Sequence, residues 1–361
     1  MTFRPEPAYR HGSPARTGLL LVNLGTPDEA SAPALRRYLA EFLSDRRVVE
    51  IPRLLWWPIL HGIILRLRPA RSAAKYATVW LPEGSPLAVW TERQTRALEV
   101  ELGRRGHTID VHHAMRYGQP ALPRVMDQMR AAGVTRVLVL PMYPQYAAAT
   151  TGSVADALHR WALQARWVPE LRTLSQYHDD PGYIDALAAR LRRHWQQQPA
   201  AERLLLSFHG LPERSLHLGD PYHCQCHKTA RLLRERLGLA PEQVVVTFQS
   251  RFGKAQWLQP YTEPTLQALG AQGVRSVDVM CPGFVADCLE TLEEISQEAR
   301  TAFLRAGGQD FRYVPCLNDE PDWVAALATL AERHLQGWDT HNVPAADAEQ
   351  RQRALAMGAR D

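Results

Sequence analysis

Two similar doubly wound α/β domains, each a four-stranded parallel sheet flanked by helices, are the fold class this sequence predicts. Three observations carry the prediction. Eight short apolar runs recur along the 361 residues, most followed by a helical pattern. The runs show no apolar/polar alternation, which suits strands buried on both faces of a parallel sheet. The second half of the chain also repeats the first: LLLVNLGTP at 19–27 returns as LLLSFHGLP at 204–212.

The runs begin near Leu19, Ile109, Val137 and Leu171, then near Leu204, Val244, Val277 and Phe311. The halves align in order. Met115-Arg116-Tyr117-Gly118 matches Ser250-Arg251-Phe252-Gly253 at the second strand, and Gly133-Val134 matches Gly273-Val274 before the third. LRTLSQYHDDPGYIDAL (171–187) matches FRYVPCLNDEPDWVAAL (311–327) through the fourth. Rossmann-like domains are therefore expected at 18–197 and 203–335, joined near QQQPAAE (196–202). An N-terminal tail (1–17) and a polar C-terminal tail (336–361) flank them, neither with an assigned function. Leu24 and His209 lie 185 residues apart, but Arg116 and Arg251 only 135, so the first domain holds about 50 extra residues after its first strand. An insertion there overhangs the carboxyl edge of the sheet, where ligands of such folds bind, and favours a lid or pocket wall.

Composition narrows the function. With 45% hydrophobic and 22% charged residues the chain can bury ordinary cores. A net charge of +4 from scattered Lys and Arg does not indicate nucleic-acid binding. Five cysteines make no disulfide framework, and no signal peptide precedes Thr17, so a reducing, cytoplasmic setting is expected. Within Ile51–Pro69 the longest uncharged run, Leu54 to Leu65, is 12 residues and contains Pro58. A bilayer span needs about 20 apolar residues, so this segment reads either as a buried helix or as an apolar surface at a lipid interface. Trp56, Trp57 and the flanking arginines suit the second.

His209 is the residue that duplication does not explain, because the first copy has Leu24 there. In a 2-1-3-4 sheet the ligand crevice opens between the first and third strands, so His209 faces the segment Asp287-Cys288-Leu289-Glu290. A neutral imidazole, with a reference pKa of about 6.5, opposite a carboxylate suits proton abstraction or binding of a borderline divalent metal. A structural histidine and a helix-start carboxylate is the commoner meaning of such a pair. Glu290, Glu294 and Glu298 follow at i, i+4 and i+8, on one helix face, at a repulsive cost of roughly 0.2–0.5 kcal/mol per pair. They read as a solvated acidic face or as a path for cations or protons. Arg116, Tyr117, Tyr143, Tyr146, Thr150, Thr151, Arg251 and Trp257 lie at other strand ends and together could line a wide, flat, apolar cleft with groups for acidic substituents. No glycine-rich dinucleotide or phosphate loop is present, so no organic cofactor is implied. His223-Cys224-Gln225-Cys226-His227 is too tightly spaced for a usual zinc pair and reads as incidental thiols.

From Gly18 to Leu330 the chain resembles the ferrochelatases of Gram-negative bacteria, which insert ferrous iron into a porphyrin. The resemblance rests on NLGTP (23–27), LPEGSPL (81–87), YPQYAAATTGS (143–153), SFHGLPERS (207–215), GDPY (219–222), TFQSRFGKAQWLQPYT (247–262) and CPGFVADCLETLEEI (281–295). It implies the chelatase fold and the terminal step of haem synthesis: Fe²⁺ and protoporphyrin IX as substrates, protohaem and two protons as products. His209 matches the family's active-site histidine and Glu290 its catalytic glutamate, serving as iron site and proton acceptors. Glu294 and Glu298 match an acidic ladder on a distorted helix, a conduit for protons or metal. Leu24, Arg116, Tyr117 and Trp257 fall on porphyrin-pocket positions. The insertion at 51–69 matches an apolar lip that in some relatives touches the membrane, which implies peripheral contact with the inner face of the cytoplasmic membrane. Cys288 stands where animal members have a second histidine. Some members hold a [2Fe-2S] cluster through a cysteine-rich C-terminal extension, an arrangement not expected here, since no cysteine follows Cys316. Coproporphyrin or another tetrapyrrole chelation is the near alternative. A non-catalytic tetrapyrrole carrier is the distant one, against which His209, Glu290 and the ladder speak.

Overall fold

All eight apolar runs become strands in the computed structural model, which describes residues 3–342 and 346–360. Residues 1, 2, 343–345 and 361 of the expected tails lie outside the described residues. β1 (Arg16–Thr26), β2 (Asp110–Gly118), β3 (Val134–Pro141) and β4 (Glu170–Thr173) form a parallel sheet in the order β2-β1-β3-β4. β5 (Arg203–His209), β6 (Val244–Gln249), β7 (Ser276–Met280) and β8 (Asp310–Val314) form a second, β6-β5-β7-β8. Leu19 to Val22 and Leu205 to Leu206 have no exposed surface, as expected for strands covered on both faces.

Helices α1 (Ala32–Leu43), α2 (Arg53–Ile59), α3 (Leu65–Ala77) and α4 (Pro86–Arg104) follow β1, α5 (Leu122–Ala131) follows β2, α6 (Ser153–Ala162) follows β3, and α7 (Pro181–Gln197) follows β4. In the second half α8 (Glu213–His217) and α9 (Tyr222–Leu237) follow β5, α10 (Thr262–Ala271) follows β6, α11 (Arg300–Arg305) follows β7 and α12 (Pro321–Leu335) follows β8; α13 (Ala348–Ala356) comes last. Helix starts are written locally. Ser85 and Asp180 accept hydrogen bonds from the amides of Ala88 (3.3 Å) and Tyr183 (3.1 Å), and each is followed by a proline in the first turn. Leu60–Ile64, Ala148–Gly152 and Glu290–Ala299 are π-helical.

The duplication is real, with one correction. Leu138 pairs with Leu19 and Arg172 as Asp278 pairs with Leu204 and Arg312, so the matches at the third and fourth strands hold in space. The match at the second strand does not. Asn23 pairs with Met115 but Phe208 pairs with Phe248, and the Met115 and Phe248 amides donate to the carbonyls of Pro120 (2.7 Å) and Pro260 (2.8 Å). Arg116 therefore corresponds to Gln249, and Arg251-Phe252-Gly253 lies in a loop that the first half lacks. A three-residue likeness was a chance one; backbone pairing sets the register.

The boundary at 197/203 divides the sequence but not the packing. α7 lies against α9 and β8 of the second half, whereas α12 lies against α4 and β3 of the first, and the two helices pack on each other. One apolar core consequently runs through both halves, from Leu19 and Leu98 through Tyr183 and Leu187 to Leu206 and Trp323. The buried carboxylate of Asp278 fastens the connection by accepting from Trp195 Nε1 (2.8 Å) and the Ala201 amide (3.0 Å). Nor is 336–361 simply a polar tail. Trp338 joins that core, the Thr340 carbonyl accepts from the Thr108 amide (2.6 Å), and the Asp347 amide donates to the Gly12 carbonyl (2.9 Å).

Candidate active site

Each repeat ends its first strand in a Gly-x-Pro turn because the chain there runs against the neighbouring strand. Gly25 has φ +110°, and a Cβ on it would overlap the Tyr117 carbonyl; one on Gly210 would stand 2.7 Å from the Gln249 carbonyl oxygen. The residue before each glycine is thus held at the carboxyl edge of its sheet. In the second half that residue is His209, half-buried, with Nδ1 2.6 Å from the Gly210 carbonyl. A carbonyl only accepts, so Nδ1 carries a proton, and in the neutral ring Nε2 holds the lone pair that a metal or a proton would take. Trp257 packs over Gly210 and bridges to Pro212, and its buried indole N–H has no protein partner.

The segment after β7 brings the carboxylates. Gln249, at the end of β6, donates from Nε2 to the Glu290 carbonyl (2.9 Å) and accepts from Ser207 Oγ (2.7 Å), which also bonds Thr262 Oγ1 (2.8 Å). This buried polar row ties the first turn of the helix to the strands that carry His209. Glu294 is held by Ser250, whose amide donates to Oε1 (2.6 Å) and whose hydroxyl donates to Oε2 (2.5 Å). Burial pushes the Glu294 carboxyl above the usual range, the Ser250 bonds and the neighbouring His209 ring pull it down, and Glu290 pushes it up. Histidine and both glutamates therefore share one electrostatic neighbourhood. Glu298 is exposed and bonds Lys75 Nζ (2.8 Å), which also meets the buried Glu293 (3.0 Å).

The three glutamates do not ride an ordinary α-helix. Glu290–Ala299 is π-wound, so its backbone bonds reach i+5 instead of i+4. Glu290 and Glu294 stay half-buried while Glu298 emerges into solvent. Asp287, in the expected crevice segment, is closed off: its carboxylate accepts from Asn318 Nδ2 (2.7 Å), Thr291 Oγ1 (3.0 Å) and the Tyr313 hydroxyl. Cys288 is buried beside Glu290, and burial raises its thiol pKa.

The first half supplies a wall. Leu24 and Leu289, the residue before Glu290, both pack against one buried cluster that includes Tyr38 and Tyr76. Arg116 and Tyr117 stand behind that surface. Arg116 Nη2 and the Tyr117 hydroxyl both bond Asp45 Oδ2 (2.5 and 2.8 Å), Ser153 joins them (2.6 Å to Asp45), and Tyr117 has no exposed surface. Burial pushes the Asp45 carboxyl up, but bonds from Ser153, the Arg47 amide and Tyr117, with the Arg116 charge, bring it below its ordinary value. Burial drives Tyr117 far up. The Tyr143 and Thr151 hydroxyls are buried without protein partners, and Tyr146 is tied through its amide to Gln225 of α9 (2.7 Å). Arg251 lies over the Tyr261 ring, 5.0 Å from its centroid.

The insertion forms the lip. Trp56 and Leu60 are buried, but Leu54 is 91% exposed, Leu67 65% and Trp57 47%. The lip meets the second half through Glu50–Arg214 (2.5 Å), Arg68 over the Phe252 ring (5.8 Å) and Lys75. Among the described residues no helix is long and apolar enough to cross a membrane, and no group of three or more His, Cys, Asp or Glu side chains is arranged to hold a metal ion. The cluster at 223–227 disperses on α9: His223 stacks on Phe248, His227 lies tilted against both rings, Cys226 enters the core, and Cys224 is exposed.

Sequence reasoning missed Gln249, Ser250, Asp45 and Lys75. The signal for Ser250 was its place in the loop peculiar to the second half, which the mistaken register hid.

Comparison with known proteins bears on the fold and the family. A sirohydrochlorin chelatase, SirB of Bacillus subtilis subspecies spizizenii, shares the fold with a TM-score of 0.51 at 12% identity, over 91% of this chain and all of that one. At the sequence level, proteins named ferrochelatase from Methylibium petroleiphilum and Polaromonas sp. are 65% and 60% identical, over 99% of this chain and 99% and 100% of theirs. The ferrochelatase family model matches residues 16–335. The chain belongs to the ferrochelatase family, and it is a metal chelatase.

Proposed function

We propose that the chain inserts Fe²⁺ into protoporphyrin IX to give protohaem, releasing two protons, as the terminal step of haem synthesis. The observation that carries this reading is His209, with Nδ1 committed to Gly210 and Nε2 holding its lone pair, in the electrostatic reach of Glu294 and Glu290. Insertion requires the ion to shed water and two pyrrole nitrogens to lose protons. His209 and Glu290 divide these tasks, one meeting the iron and the other a proton, since both offer lone pairs to cations. Burial raises Glu294 toward the range where a carboxylate can take and pass protons, and Glu298 leads onward to solvent. Leu24 offers apolar surface to the macrocycle, Arg116 and Tyr117 stiffen that wall through Asp45, and the buried Trp257 backs the His209–Gly210 turn. A bent macrocycle exposes its nitrogen lone pairs, a recognised use of ground-state strain. No organic cofactor or [2Fe-2S] cluster takes part in this reading.

The purified protein is to be assayed with Fe²⁺, Co²⁺ and Zn²⁺ against protoporphyrin and coproporphyrin. Fe²⁺ with protoporphyrin is expected to turn over fastest. Preference for coproporphyrin reassigns the substrate, and porphyrin binding without metallation makes the chain a carrier.

The exposed apolar face of the lip supports peripheral contact with a membrane, on its cytoplasmic side. Leu54→Ser with Trp57→Ser is expected to lower co-sedimentation with anionic vesicles severalfold; unchanged binding overturns the assignment.

A further inference from the structure

We propose that Ser250 is a positioning residue for the chelation chemistry, holding the Glu294 carboxylate toward His209. The inference rests on the assignment of His209 and Glu290 above. Three observations converge on it. Ser250 engages both oxygens of Glu294, through its amide at 2.6 Å and its hydroxyl at 2.5 Å.

The second observation is backbone conformation. Ser250 has φ +64° and is one of two non-glycine residues with positive φ among the described residues. The other, Asn318, is of a type that tolerates this region, and its side chain is fully used on Asp287. Serine is not favoured there, and glycine adopts the conformation without penalty. A serine kept in a glycine's conformation points to use of its hydroxyl, and the hydroxyl is spent on Glu294.

The third is the internal repeat. The pairing of β3 with β4 and of β7 with β8 aligns Gly152-Ser153-Val154 with Leu292-Glu293-Glu294, so Val154 is the counterpart of Glu294. Val154 is a fully buried apolar residue that needs no partner. The loop that begins at Ser250 is likewise absent from the first half. Carboxylate and clamp are therefore present together in the half that carries His209 and missing together from the half that carries Leu24. Two donors on one carboxylate fix its rotamer and favour its ionised form against burial. Without the hydroxyl, the carboxylate remains but its aim toward His209 is lost.

The test compares Ser250→Gly, Ser250→Ala, Glu294→Ala and the Ser250→Gly/Glu294→Ala double variant, measuring kcat, the KM for each substrate and Tm. Ser250→Gly relieves the backbone and is expected to keep or raise Tm while kcat falls about tenfold, the scale of one hydrogen bond to a charged group, with KM for porphyrin unchanged. Ser250→Ala is expected to lose the same activity at a lower Tm than Ser250→Gly. In the Glu294→Ala background Ser250→Gly is expected to change kcat no further. Wild-type kcat in Ser250→Gly, or effects of the two substitutions that multiply independently, overturns the proposal. Full activity in His209→Ala overturns the underlying site assignment instead, so the two failures are told apart.

Discussion

The carboxyl edges of the two sheets start from the same scaffold and end in opposite chemistry. In the first half the polar groups satisfy one another: Arg116, Tyr117, Ser153 and Asp45 form a closed, buried knot. In the second half the corresponding edge leaves capacity unspent, in the outer nitrogen of His209 and in half-buried Glu290. The helices after the third strands repeat the contrast. Both begin π-wound, yet Val154 and Leu158, buried in one, answer to Glu294 and Glu298 in the other. A duplicated scaffold thus supplies one wall braced by a closed knot, with only hydroxyls such as those of Tyr143 and Thr151 left over, and one that ends in His209 and Glu290.

The largest test of that contrast exchanges the strand-end residues. His209→Ala is expected to lower kcat by about 10²–10⁴-fold, the range for a general acid–base group, whereas Leu24→Ala is expected to raise the porphyrin KM severalfold and leave kcat near wild type. Equal losses at kcat would break the division between the halves. Next in size, Asp45→Ala leaves the Arg116 guanidinium buried and unpaired, a loss of about 3–5 kcal/mol readable as a fall in Tm. The Asp45 carboxyl is depressed in the folded protein, so its contribution is complete above the unfolded value and is lost as pH falls through the folded one. The gap in Tm between wild type and Asp45→Asn is accordingly expected to be full at neutral pH and to close in acid; a constant gap would mean that the charge is not what holds the knot. Smallest is Lys75→Ala. Its two ion pairs are partly exposed, so about 0–1 kcal/mol each is expected, shrinking as salt is added; a loss that ignores salt would show that Lys75 acts by packing.

Legibility followed the physics of each feature. Strands and their order could be read because burial on both faces demands unbroken apolar runs, and Leu19 to Val22 leave no other choice. The exchange of α7 and α12 could not, because an amphipathic pattern says that a face is buried but not against which sheet. The polar make-up of 336–361 hid Trp338 and Thr340, two residues that fasten it. At the site, His209 stood out against Leu24, and the family resemblance named Glu290. Gln249 and Ser250 stayed hidden because their roles depend on backbone register. Asp287 misled in the other direction, since a carboxylate's availability depends on partners such as Asn318 and Tyr313, which are distant in sequence. Charges at i+4 spacing likewise read as α-helix, and nothing in them announces the π winding.

The traded helices decide how a flat molecule can come and go. Swinging the two sheets apart would strip α7 and α12 from foreign partners and tear a continuous core. The duplicated part of the chain therefore behaves as a rigid jig. Give is left to the lip, held to the far side by a few side-chain contacts through Glu50, Arg68 and Lys75. The packing thus puts any opening at the inserted lip rather than at a hinge between the two sheets.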